Sequence, residues 1–207
     1  MKKMCIAFML VACALAQKPQ KAPKPPKPLK NGLYAIFKTD FGDIRALLFE
    51  KDTPNSVALF VGLAQGTQSW RDPSGKVVKK PYYDNTTFFR VIPETAVQGG
   101  SPDGTTTYNC GLRIKDEMLP GIKFQGGSLA IANGGPDTGG CEFFFTTGAN
   151  PSWDMKFTIF GQVVEGENVV EKMSKVPVQG ETPVNPPKLI GVTIERIGPV
   201  PVLKKKK

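Results

Sequence analysis

Phe88-Phe-Arg-Val-Ile-Pro-Glu-Thr-Ala-Val-Gln-Gly-Gly100 and Leu129-Ala-Ile-Ala-Asn-Gly-Gly-Pro-Asp-Thr-Gly-Gly-Cys-Glu-Phe-Phe-Phe-Thr-Thr147 are the stretches on which the fold reading turns. Both consist of short apolar runs cut by turn-forming residues: Thr87–Ile92, which starts one residue ahead of the first stretch, and Ala96–Gln98; then Leu129–Ala132 and Phe143–Thr146 in the second. Thr158–Val164 continues the series. Side chains alternate across a strand, so Phe143 and Phe145 share one face and Phe144 takes the other.

Working outward, Leu33–Thr39 reads as a strand, Asp40-Phe-Gly-Asp43 as a turn and Ile44–Phe49 as the returning strand. Thr53 as N-cap, Pro54 at the first helical position, an apolar face of Val57, Leu59, Phe60 and Leu63, and Gly66 as the stop predict a helix. Residues 67–81 are polar and turn-rich, a loop or small surface hairpin. Val169–Met173 reads as a second helix, and Leu189–Ile197 as a closing strand. Many short strands with glycine-rich connections and two helices predict a mainly β domain: a closed antiparallel barrel rather than alternating βαβ units.

The ends differ in kind from this domain. Met1-Lys2-Lys3 followed by the apolar run Met4–Leu15 reads as an export signal over residues 1–16, too short to span a bilayer. Ala14-Leu15-Ala16 fits a cleavage site, and Leu10-Val11-Ala12-Cys13 fits a lipoprotein signal with Cys13 as the lipidated residue and membrane anchor. Either form gives an exported, periplasmic or secreted protein. Residues 17–30 alternate lysine with proline, an extended solvated tether. The domain is expected over residues 31–199, with a basic tail over 200–207. Residues 1–30 and 204–207 hold eleven lysines and no acid; removing those from the 27 basic residues leaves 16 against 18 acids. The domain is close to neutral, which removes the main support for nucleic-acid binding.

Histidine is absent, which excludes serine–histidine and cysteine–histidine catalysis and histidine-based zinc sites. No phosphate-binding loop and no C-x-x-C pair is present. No metal or other cofactor is expected, and a monomer is the default.

The two quoted blocks, with Phe157-Thr-Ile-Phe-Gly161, resemble the two signatures of cyclophilins, F-[HF]-R-[VI]-I-P…Q-G-G and A-N-x-G-P-[ND]-T-x-G-[SC]-[QE]-F-F. Asn55–Thr67 and Pro81-Tyr-Tyr-Asp84 fit in register, so the resemblance covers roughly residues 33–198. It implies an eight-stranded closed barrel capped by two helices, with a groove for proline-containing polypeptides and peptidyl-prolyl isomerase activity. It also implies that Arg90 is the catalytic arginine, that Gln98 orients it and the substrate, that the main chain of Ala132 and Asn133 pairs with the peptide, and that Phe144 floors the proline pocket. The chemistry suits these residues. Amide rotation faces a barrier of ~18–20 kcal/mol, and a site that prefers the twisted form needs only a donor for the prolyl nitrogen. A guanidinium supplies that donor without any proton transfer.

The resemblance also has departures. Thr95 stands at a position usually held by phenylalanine and Ala96 at a neighbouring methionine. In Pro151-Ser-Trp-Asp-Met-Lys-Phe157 the family tryptophan becomes Ser152, the leucine Trp153 and the histidine Phe157. Thr95, Ala96, Trp153 and Phe157 are the expected pocket lining. The re-lined pocket leaves a second reading open, a proline-peptide binding module with weak or no turnover. The resemblance further brings Cys110 and Cys141 to neighbouring loops beside the groove, on the side that screens the residue preceding the X–Pro pair. A disulfide between them, in an oxidising compartment, is expected to rigidify that side pocket.

Overall fold

The computed structural model describes residues 29–200. The export signal over 1–16 with Cys13, most of the Lys/Pro-rich tether and the tail from residue 201 onward lie outside the described residues. Gly32–Thr39 (β1) and Gly42–Leu48 (β2) form the expected hairpin, but with a tighter turn of only Asp40-Phe41. Thr39 explains the tightness: its Oγ1 donates to the Gly42 carbonyl at 2.6 Å and accepts from the Phe41 N–H at 3.1 Å.

Helix α1 follows (Pro54–Ala64), then a small hairpin of β3 (Trp70–Arg71) and β4 (Val77–Val78). Strand β5 (Thr86–Thr87) immediately precedes the first deciding stretch, which becomes β6 (Arg90–Ile92) and β7 (Ala96–Gly99). The second becomes β8 (Ser128–Ile131) and β9 (Phe143–Thr146). A 3-10 turn (Pro151–Trp153), β10 (Ile159–Glu165), helix α2 (Glu167–Met173), a second small hairpin of β11 (Val178–Gln179) and β12 (Thr182–Pro183), and β13 (Lys188–Ile197) complete the chain.

The main sheet is antiparallel, in the order β5-β13-β1-β2-β10-β8-β9-β7-β6. Its two edge strands are separated in the chain by only Phe88 and Phe89, so the sheet must curl strongly. The expected eight strands appear as nine because one kinked segment, Thr86–Ile92, contributes a strand at each edge. Thr87 pairs with Lys188 on one side and bridges to Ser101 on the other.

The inside is aromatic. Phe37 lies 4.9 Å from Phe145, 5.2 Å from Phe143 and 5.7 Å from Phe60 between ring centroids, and all four rings are fully buried. Such tilted and edge-on pairs add about 0.5–1.5 kcal/mol each beyond the area they bury. Helix α1 closes one side with Val57, Phe60 and Leu63. Thr53 precedes that helix as expected, yet its side chain does not cap it; its Oγ1 donates to the Phe49 carbonyl. The carboxylate of Glu117 caps instead, accepting from the Asn55 and Ser56 N–H groups at 3.1 and 2.8 Å and from both their side chains.

Candidate functional site

Strands β6, β7 and β9 set side by side the residues that face away from the interior. The register pairs Arg90 with Gln98, Gln98 with Phe144, and Ala96 with Thr146. Phe143 and Phe145 point inward, and Phe144 joins a second apolar cluster with Ala96, Phe124, Ala130 and Ile159. Phe124 stacks on Phe144 at 5.8 Å, while Trp153 and Phe157 meet Phe144 edge-on at 5.5 and 5.3 Å. Phe144, Trp153 and Phe157 form one end of an open cavity of about 650 Å³, with Phe124 packed behind them, a size suited to a small ligand or a few residues of peptide.

Beside this apolar end sits a polar relay. Arg90 donates from Nε to Glu181 at 2.6 Å and from Nη1 to Gln98 Oε1 at 3.1 Å. Gln98 in turn donates from Nε2 to Glu142 Oε2 at 2.7 Å. The guanidinium is fixed from two sides, and its Nη2 donors have no partner among the described residues. Burial pushes the Glu142 carboxyl up to about 7, and the charge of Asp103 adds to that, against the Gln98 hydrogen bond and the Arg90 charge. Glu142 comes this close because Gly100, which follows β7, lets the two main chains approach. There φ is +87°, and a Cβ would lie 2.9 Å from the Cys141 carbonyl oxygen.

Beyond Glu142 the cavity continues into a side chamber lined by Tyr82, Thr107, Tyr108, Cys110 and Cys141. Cys110 and Cys141 are joined by a disulfide, with Cα atoms 6.5 Å apart. Tyr83 Oη donates to the Cys141 carbonyl at 3.0 Å and the Arg71 N–H to the Cys110 carbonyl at 2.8 Å, pinning both ends of that wall.

Arg90, Gln98, Ala96, Ala132, Asn133, Phe144, Trp153 and Phe157 all line this one cavity. Thr95 does not. It lies in the β6–β7 turn with its Oγ1 donating to the Pro93 carbonyl. Ile92 takes the wall instead, because it shares a strand face with Arg90. The Ala132 N–H donates to the Glu142 carbonyl, and the main-chain groups of Asn133 have no partner among the described residues. Asn133 Nδ2 donates to the Lys156 carbonyl at 2.9 Å, which ties this strand end to the 3-10 turn region. Sequence reading missed Glu181, Phe124 and Glu142. The first two come from distant segments with no local signal. Glu142 had one, since it stands two residues before Phe144 and must share its face.

Residues 34–196 match the family model described as cyclophilin type peptidyl-prolyl cis-trans isomerase/CLD. The chain is 40% identical over 170 residues to peptidyl-prolyl cis-trans isomerase A of Mycobacterium tuberculosis, covering 77% of this chain and 91% of that one. It is 39% identical over 154 residues to peptidyl-prolyl cis-trans isomerase B of Streptomyces anulatus, covering 72% and 88%. The fold is similar to that of a cyclophilin-type isomerase of Cryptosporidium parvum crystallised in the presence of the dipeptide Ala-Pro. That similarity has a TM-score of 0.67 at 26% identity, over 79% of this chain and 99% of that one. With the curled sheet, the two helices and these matches together, the chain belongs to the cyclophilin-type peptidyl-prolyl cis-trans isomerase family.

Proposed function

We propose that this chain isomerises X–Pro bonds in the cavity on the outer face of β6, β7 and β9, with Arg90 as the group that stabilises the twisted amide, and that its substrates are exported polypeptides. The observation that carries the reading is the guanidinium held between Glu181 and Gln98 at the edge of an aromatic pocket. The pyrrolidine ring occupies the apolar end, against Phe144, Trp153 and Phe157. Its nitrogen then faces Arg90. Rotation makes that nitrogen pyramidal and returns its lone pair, and a fixed cationic donor binds this form better than the planar amide. Because the guanidinium is already oriented, little reorganisation is needed as the lone pair develops. Lowering the barrier by ~7 kcal/mol corresponds to about 10⁵-fold acceleration. The pocket is lined well enough without Thr95 that the binding-module reading has no specific observation in its favour.

Export rests on the amino-terminal sequence, with the Cys110–Cys141 disulfide as support, since such bonds persist in oxidising compartments. The test is NMR exchange on an Ala-Pro peptide with catalytic amounts of the chain. Cis–trans exchange is expected to accelerate far beyond that of the free peptide. A peptide that binds but exchanges at its free rate overturns the isomerase reading.

A further inference from the structure

The side chamber of the cavity has a chemistry that X–Pro isomerisation does not use. Its inner edge is the Glu142 carboxylate. One oxygen of Glu142 accepts from Gln98, and the other has no partner among the described residues. The rings of Tyr82 and Tyr108 line the same chamber. A carboxylate and aromatic rings around a partly buried space are a lining suited to an organic cation. The other charged groups on the cavity wall are Arg90, already paired with Glu181, and Arg113, which is exposed and therefore screened by solvent. Asp103 adds further negative charge near Glu142.

Resting on the isomerase reading above, we propose that Glu142 makes this site select peptides carrying lysine or arginine two residues before the proline. The geometry gives the position. Glu142 immediately precedes the strand that carries Phe144, and the Ala132 N–H bond to its carbonyl continues the extended pairing. The two side chains therefore share a face, two residues and so about 7 Å apart, and an extended peptide advances by the same step. With the proline ring over Phe144 and its nitrogen toward Arg90, the chain preceding the proline leaves through that nitrogen, on the side where the Gln98 side chain leans to Glu142. The second residue before the proline therefore arrives at the side chamber. Its disulfide-tied wall holds the chamber open, so the cation meets a formed site. Burial disfavours the lone carboxylate, and an arriving ammonium or guanidinium offsets that penalty.

The experiment uses the full chain and four otherwise identical peptides: Lys-Ala-Pro, Ala-Ala-Pro and Glu-Ala-Pro, and one with the lysine moved two residues after the proline. Kd and exchange rate are read by NMR for the wild type and for Glu142→Gln. The wild type is expected to prefer Lys-Ala-Pro over Ala-Ala-Pro by about tenfold, to bind Glu-Ala-Pro more weakly, and to gain nothing from the displaced lysine. In Glu142→Gln the lysine-to-alanine ratio is expected to fall toward one. Equal Kd for all peptides on the wild type, or a lysine preference that survives the substitution, overturns the proposal. Exchange at the free rate for every peptide refutes the isomerase reading separately, and the Kd ratios still decide this one.

Discussion

The two faces of β9 carry aromatic clusters built to different ends. Inside, Phe143 and Phe145 are sealed among Phe37, Phe60, Tyr83 and Phe88, with ring contacts on several sides and no polar group required. Outside, Phe144 has Phe124, Trp153 and Phe157 around it but opens on one side to a cavity edged by Arg90, Gln98 and Glu142. One strand thus supplies both stability and a binding surface, one face for each. The inner face needs only size and apolarity. The outer face depends on distant tethers: the Glu181 side chain, the Cys110–Cys141 bond and the hydrogen bond from the Phe124 N–H to Asp154 Oδ1.

The comparison breaks most visibly by truncation. Phe143→Ala is expected to destabilise the fold by about 3–5 kcal/mol in denaturant unfolding. Phe144→Ala is expected to lose less, about 1–3 kcal/mol, while losing most of its peptide exchange activity. Equal stability losses with activity retained in Phe144→Ala would erase the distinction. Replacing Cys110 and Cys141 with serine opens a 31-residue separation and should lower stability by about 2–4 kcal/mol. Because the bond lines the cavity as well as packing on the core, peptide affinity should fall with it, and the near-ultraviolet signal of the inner rings should persist below the transition.

Glu142 sharpens the contrast through pH. Its carboxyl titrates at about 7 in the folded chain, against about 4.5 when unfolded. As pH rises the unfolded chain loses this proton first, so native stability falls between about 4.5 and 7. Glu142→Gln removes that loss and is expected to gain up to about 3 kcal/mol at pH 8 over the wild type, with little gain at pH 4. Unfolding curves at the two pH values check it; a gain that does not grow with pH contradicts the shift. The smallest effect belongs to Glu117, which caps α1 away from the cavity. Glu117→Ala should cost about 1–2 kcal/mol and leave peptide exchange unchanged.

What could be read from sequence follows the same division. Period-two alternation alone separates Phe144 from Phe143 and Phe145, because strand pleat is a local property. Hairpin and helix positions are legible for the same reason. Thr53 misleads because N-cap preference is only a local rule, and a carboxylate about 60 residues away along the chain takes the role instead. Thr95 misleads because alignment assigns it a position while the β6–β7 turn directs its hydroxyl to Pro93. Glu181 and Phe124 reach the site through long-range packing, which no periodicity encodes. Their contribution is legible only once the sheet has curled.

The most direct test of the account is Arg90→Ala, with Kd for an Ala-Pro peptide and its exchange rate measured in the same NMR samples as the wild type. If Arg90 acts on the twisted amide, exchange falls by at least about 100-fold while Kd changes by no more than a few-fold, the signature of an interaction made mainly in the transition state. A variant that exchanges the bound peptide as fast as the wild type would show that the guanidinium is not the group that turns the bond.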